Sequence, residues 1–290
     1  MKMQSYMIEK EFPSVYIFLK EHSFSENYIK NLRKEWGNIV LNDSIVNINA
    51  KLKAGDLLKI NSNPNIKTDI KHCILPLDIV FEDEYYLLIN KPSGLSCMPN
   101  KSHYSNNLSG AIAHYMANKD DNFVVRILNR LDKDTAGIII VAKDSIAQKE
   151  IQNVQKTYHA ICNGIIDSPQ RINKPIKTIS ENGINQHKRI VADDGQEATT
   201  FIRPLKNNKA TNLSLVELNL IHGRTHQIRV HLSSINQPLL GDEIYGEKSD
   251  LISHTALICK KITFYHPFSN KTLSFEVDYP DDFKNIIDKI

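Results

Sequence analysis

Residues 129–143 read Asn129-Arg130-Leu131-Asp132-Lys133-Asp134-Thr135-Ala136-Gly137-Ile138-Ile139-Ile140-Val141-Ala142-Lys143. A charged stretch passes through Thr135 and Gly137 into a run of apolar residues with no helical periodicity. This pattern predicts a buried strand entered from a polar loop. A carboxylate on such a loop, Asp132, is rigidly placed beside the strand and suited to nucleophilic or acid–base work. An isolated loop carboxylate more often caps a backbone or faces water, so the assignment rests on what accompanies it.

Outward from this segment, residues 85–90 and 213–221 form further strand-like runs, and turn signals stand at Pro92-Ser93-Gly94, Asn163-Gly164 and Asp194-Gly195. With a few helical patterns between them, they predict a strand-rich α+β domain over residues 73–290. Upstream, residues 61–71 are mostly Asn, Ser, Pro, Lys and Thr, the composition of a linker, here assigned to 63–72. Residues 1–62 form a smaller unit: two short helical patterns, then strands at 39–41 and 57–60 with a turn at Gly55-Asp56. Ser25 is placed to cap the second helix, along which Lys30, Arg33 and Lys34 share a face that could meet phosphates.

The composition is that of a globular protein, 41% hydrophobic and 24% charged, and the net charge of +3 by itself names no partner. Cys73, Cys97, Cys162 and Cys259 are too scattered for a zinc knuckle or a disulfide framework and read as reduced thiols. Residues 1–12 lack the apolar core of a secretory signal, and the run at 138–142 is far short of the roughly 20 residues of a membrane helix. A cytoplasmic protein with no membrane association is expected.

Three other stretches share a pattern with the Asp132 segment. They are Glu82-Asp83-Glu84 through Leu87-Leu88-Ile89-Asn90-Lys91-Pro92-Ser93-Gly94; Lys156-Thr157-Tyr158-His159-Ala160 with Gly164; and Gly223-Arg224-Thr225-His226-Gln227-Ile228-Arg229-Val230-His231-Leu232, followed by Pro238-Leu239-Leu240-Gly241-Asp242. Together with Arg130-Leu131-Asp132-Lys133-Asp134-Thr135-Ala136-Gly137, they resemble, in the same order, the motifs of the RluA-type RNA pseudouridine synthases. The resemblance covers residues 75–267. Phe18-Leu19, Trp36-Gly37, residues 39–42, Leu52 and Gly55-Asp56 resemble, in divergent form, the small RNA-binding module first known from a small-subunit ribosomal protein.

The resemblance implies a mixed, mostly antiparallel central sheet flanked by helices, with an RNA cleft across one face. It implies an isomerase that turns uridine into pseudouridine without metal or organic cofactor, with Asp132 catalytic. Tyr158 would stack on the target base, and Arg229 would pair with Asp132, a guanidinium favouring an ionised carboxylate. Arg130 would enter the space left by the flipped nucleotide, and Lys156 and His226 would contact the substrate. Ribosomal RNA is the favoured partner because the accessory module accompanies such enzymes; transfer RNA is the runner-up, and a monomer is expected.

Read from the residues alone, Lys156, Tyr158, Ala160 and Cys162 share one face of a strand. A helix capped by Thr225 would put His226, Arg229 and Ser233 on one face and Ile228, Leu232 and Ile235 on the other. His226 and His231 are five apart, on different helix faces, so no metal site is expected. Two features depart from the family pattern: Asn129 stands where histidine is common, and the segment between Asp132 and Tyr158 is short. The competing readings are a non-catalytic RNA-binding or ribosome-assembly protein, and a hydrolase pairing Asp132 with Asp134, which would need both carboxylates to face one substrate.

Overall fold

The computed structural model describes residues 3–62, 64, 70–99, 106–117, 119, 123–181 and 184–290, with the side chains of 180, 181 and 184–187 set aside. The first unit comprises β1 (Met3–Met7), α1 (Val15–Glu21), α2 (Glu26–Leu32), β2 (Ile39–Leu41), β3 (Ser44–Ile45) and β4 (Leu57–Asn61). Its strands form a four-stranded sheet in the order β1-β4-β2-β3. Phe12, Val15, Phe18, Leu19, Ile29 and Leu58 close its own core. Ser25 caps α2, its hydroxyl accepting from Tyr28 N at 3.2 Å.

The helix ends at Leu32, earlier than the Lys30–Arg33–Lys34 face requires. Asn38 Nδ2 donates to the Leu32 carbonyl at 3.1 Å, and Gly37, at φ +97°, turns the chain into β2. Lys30 is therefore helical, while Arg33 is the cap and Lys34 lies in the following turn; all three are exposed. Strand β1 lies in the segment that showed no strand pattern in the sequence, and its pairing with β4 supplies the missing order.

The remainder is built on β5 (Ile79–Glu82), β6 (Tyr86–Lys91), α3 (Leu108–Ala117), β7 (Arg126–Ile127), β8 (Ala136–Ala142), α4 (Ser145–Glu150), β9 (Gln152–Asn163) and β10 (Gln170–Asn173). There follow β11 (Ile176–Glu181), β12 (Ile184–Val191), β13 (Thr199–Asn208), β14 (Leu213–Leu220), α5 (Gln227–Ser233), β15 (Leu257–His266), β16 (Lys271–Glu276) and α6 (Asp281–Ile287). A ten-stranded sheet runs β10-β13-β14-β9-β15-β8-β6-β5, with β16 joined to β15 and β7 to β8; β11 and β12 form a separate hairpin. The fold is α+β, and its large sheet is antiparallel except where β15 meets β8.

That parallel joint is tight. Gly137 pairs with Cys259, and a Cβ at Gly137 would lie 2.3 Å from the Cys259 carbonyl oxygen; its φ of +111° is one that side chains also disfavour. Register then places Lys91, Gly137, Cys259, Tyr158 and Leu218 in one row across five strands. The residues of β8 are all buried, as expected of a strand covered on both faces.

The two units touch through α4. Ile146 belongs to the N-terminal core, Ser145 N donates to the Ser62 carbonyl at 3.2 Å, and Lys149 Nζ lies 4.4 Å from the centre of the Phe24 ring. No helix among the described residues is long and apolar enough to cross a membrane.

Candidate active site

The loop between β7 and β8 is held by its backbone, which leaves the Asp132 side chain to the cavity. Ser93 Oγ donates to the Asp134 carbonyl at 2.8 Å, Lys91 Nζ to the Lys133 carbonyl at 3.0 Å, and Cys97 Sγ to the Leu131 carbonyl at 3.1 Å. Thr135 N closes a turn on the Asp132 carbonyl at 3.2 Å. Lys91 also reaches the Pro92 and Leu95 carbonyls at 2.8 and 2.9 Å, so all three ammonium protons are used. Burial pulls its amine down to about 8. Just upstream, buried Asn129 accepts from Ile140 N at 2.7 Å and donates to the Ile138 carbonyl at 2.9 Å. A primary amide supplies both functions, so this departure from histidine stitches the loop to β8.

Asp132 lines an open cavity of about 600 Å3 together with Arg130, Lys156, Tyr158, His226 and Arg229. The six residues come from the Asp132 loop, β9 and the start of α5. Tyr158 is 7% exposed, and burial, with Cys259 and Asp132 nearby, pushes its phenol well above its ordinary range, so it is a neutral ring in the wall. Lys156 lies two residues earlier in β9, and Arg130 is exposed at the rim. Asp134, by contrast, does not line this cavity, so the paired-carboxylate geometry of a hydrolase is not formed there.

Arg229 is placed differently from the expected simple pair with Asp132. Its Nε and Nη2 each donate to fully buried Asp242 at 2.7 Å, and Nη1 approaches Asp132 Oδ2 at only 3.7 Å. Burial works against its charge, but Asp242 and then Asp132 more than offset this and raise its pKa further. A bidentate carboxylate at the back leaves the third nitrogen directed toward the cavity.

The helix itself starts later than expected. His226, at φ +58°, holds the capping position without a side-chain cap, and Gln227 Oε1 accepts from Arg224 N at 3.0 Å. Thr225 is exposed and no cap, because the left-handed turn at His226 carries the chain past it. That turn brings His226 Nε2 to 3.8 Å from Asp132 Oδ2. Burial, opposed by Asp132, lowers the imidazole pKa, which favours its neutral form.

His231, the other candidate ligand, uses both ring nitrogens inside the fold, with Thr200 Oγ1 at 2.8 Å and the Lys174 carbonyl at 2.9 Å. Among the described residues no group of three or more His, Cys, Asp or Glu side chains is arranged to hold a metal. Lys30, Arg33 and Lys34 lie in the N-terminal unit and do not line the cavity. Four residues that the sequence did not single out support the site: Lys91, Cys97, Asp242 and Tyr245. Lys91 and Asp242 lie inside the quoted motifs, yet nothing in the spacing shows which backbone or side chain they reach.

A loop carboxylate, a buried aromatic ring and a guanidinium line one cleft, a set of groups whose chemistry suits a planar substrate. The family model described as RNA pseudouridylate synthase matches residues 85–234. The RNA pseudouridine synthase YhcT of Bacillus subtilis is 36% identical over 254 residues, covering 85% of this chain and 83% of that one. Ribosomal large subunit pseudouridine synthase D of Zymomonas mobilis is 35% identical over 234 residues, covering 72% of this chain and 71% of the relative.

Among solved structures, human RNA pseudouridylate synthase domain containing 1 aligns with a TM-score of 0.56 at 25% identity, over 71% of this chain and 84% of that one. The human domain-containing-4 structure shows the same fold, with a TM-score of 0.57 at 22% identity over 73% of this chain and 92% of that one. The chain belongs to the RNA pseudouridylate synthase family, of the RluA type, and is an RNA pseudouridine synthase.

Proposed function

We propose that this enzyme, acting as a cytoplasmic monomer, converts a specific uridine of large-subunit ribosomal RNA to pseudouridine, with Asp132 as the catalytic carboxylate. The observation that carries the reading is the meeting of Asp132, Tyr158 and Arg229 in one cavity, although they come from a loop, a strand and a helix far apart in the chain. The named activity of the Zymomonas mobilis relative supports the ribosomal substrate.

In the reaction the bond from ribose C1′ to uracil N1 breaks, the base turns, and a bond from C1′ to C5 forms. The C5 proton leaves to solvent and N1 gains one, so no redox equivalent or activated group is consumed and no cofactor is required by the balance. Asp132 starts the sequence by attack or by proton removal, and both routes need its carboxylate.

The uridine must leave the stack first, at a cost of about a few kcal/mol. Stacking on the neutral Tyr158 ring returns roughly 1–3 kcal/mol of that. Arg130, exposed at the rim, enters the vacated space, while Lys156 and His226 hold the extruded nucleotide. Residues 1–62 form a separate RNA-binding module beside the catalytic domain at 73–290 and contribute phosphate contacts from Lys30, Arg33 and Lys34; of the linker assigned to 63–72, residues 63 and 65–69 lie outside the described residues.

The test uses ribosomal and transfer RNA from cells lacking this protein, tritiated at uracil C5. Release of tritium from large-subunit ribosomal RNA by the wild type, absent with Asp132→Asn, is the expected result. Release from transfer RNA alone would reassign the substrate. Binding without release from either would favour an RNA-binding role, and equal release by the variant would remove Asp132 from the mechanism.

A further inference from the structure

Behind the cavity wall, Tyr245 meets the N-cap residue His226 and two residues of α5, Arg229 and Ser233. Its hydroxyl is 2.9 Å from His226 Nδ1, its ring lies 5.2 Å from the Arg229 guanidinium carbon, and its carbonyl accepts from Ser233 Oγ at 2.8 Å. Its backbone N donates to Asp242 Oδ1 at 3.2 Å, the same carboxylate that holds Arg229. From the other side, the Arg189 backbone N of β12 donates to the Tyr245 hydroxyl at 2.8 Å. The ring also packs with Ile176, Val191, Ala198 and Val230, which join the β11–β12 hairpin to α5.

A peptide N–H only donates, so the Tyr245 oxygen accepts from Arg189. A second bond accepted from Nδ1–H would leave the phenol proton without the partner that Nδ1 supplies, so the arrangement that uses the proton sends it to His226 Nδ1. An imidazole that accepts at Nδ1 carries its proton, when neutral, on Nε2. Nε2 is the nitrogen that faces Asp132, 3.8 Å from Oδ2. A bond received at the phenol oxygen also strengthens the bond the phenol gives. The geometry points to Tyr245 as a positioning residue that fixes His226 as its Nε2–H tautomer toward Asp132 and ties that choice to the seating of β12. This rests on the proposed role of Asp132.

The bond runs from the peptide of Arg189, so its side chain and its amide can be separated. Arg189→Ala keeps the N–H, whereas Arg189→Pro removes it. The amide points away from the β11 partner toward Tyr245, an outward position of a kind that admits proline in a strand. Through this chain, loss of either the phenol or the amide should release the imidazole from its tautomer without altering the base-binding wall at Tyr158.

Three measurements test the proposal. In wild type labelled with 15N-histidine, with the His226 signal identified by its loss in His226→Gln, the neutral ring should carry its proton on Nε2; a proton on Nδ1 overturns the proposal. Tyr245→Phe should shift that population toward Nδ1–H and lower kcat about tenfold or more, with KM changed less than about twofold. An unchanged tautomer and kcat overturn it. Arg189→Pro should lower kcat relative to Arg189→Ala in the wild-type background but not beside Tyr245→Phe. An equal drop in both backgrounds shows that the amide does not act through the phenol and overturns the coupling. The tautomer is read without turnover, so it stands apart from the Asp132→Asn result, which tests the underlying reading.

Discussion

Asp242 binds Arg229 more closely than Asp132 does: two contacts of 2.7 Å against one of 3.7 Å to the same guanidinium. Asp242 is fully buried and the Arg229 side chain is 6% exposed, so neither charge has water as a substitute partner. Removing one partner of such a pair costs on the order of 3–5 kcal/mol. Asp242→Ala should lower the unfolding free energy obtained from urea titration by that amount and also impair tritium release, because Arg229 loses its orientation. Arg229→Lys should lose activity as well, since a single ammonium cannot reproduce the forked contact.

Gly137 cannot take a side chain without moving β15. A Cβ there would lie 2.3 Å from the Cys259 carbonyl oxygen, a backbone atom that cannot swing aside as a side chain can, and φ is +111°. Gly137→Ala should destabilise the protein by more than about 3 kcal/mol and broaden its unfolding transition, as measured by chemical denaturation.

Glu82 supplies the clearest pH dependence. Burial acts to raise its pKa, but bonds from Lys119, Lys143 and Tyr115 outweigh it and bring the carboxyl down to about 2. An acid whose folded pKa is depressed adds stability above its unfolded pKa of 4.5 and loses it as pH falls toward 2. Glu82→Gln should therefore be less stable than wild type at neutral pH, and the difference should shrink between pH 4.5 and about 2. Thermal unfolding across that range checks both the sign and the window.

Affinity carried by the N-terminal unit should respond to salt. If Lys30, Arg33 and Lys34 each neutralise one phosphate, replacing all three with alanine should reduce the slope of log affinity against log salt by about 2–3. Filter binding at several salt concentrations measures it. Single-turnover chemistry at saturating RNA should change little, because none of the three lines the cavity.

The Asp132 loop and β8 were legible because a switch from charged to apolar residues is a one-dimensional signal, and the strands at 39–41, 57–61, 86–91 and 213–220 follow the same logic. Helix α5 was legible as a helix, but its two expected faces and its start were not: residues 227–232 are all buried, His226 and Ile235 lie outside the helix, and a left-handed residue at His226 carries no compositional mark. The same holds for α2, which stops at Leu32 because a side chain six residues later takes its carbonyl. Partners remote in sequence account for the remaining differences. Asp242 is 13 residues from Arg229 and Arg189 is 56 from Tyr245; neither separation has a periodicity that could be read. Lys91 shows the same limit, since its three carbonyl acceptors offer no side-chain chemistry to find.

Strand β15 runs between β8 and β9, which precede it by about a hundred residues. During synthesis, β8 and β9 therefore emerge with no native neighbour between them and must wait for a late segment to interpose. Asp132 and Tyr158 acquire their spacing only when residues 257–266 have been threaded into that gap. Until then, the growing chain contains both residues but not the cavity that they line together.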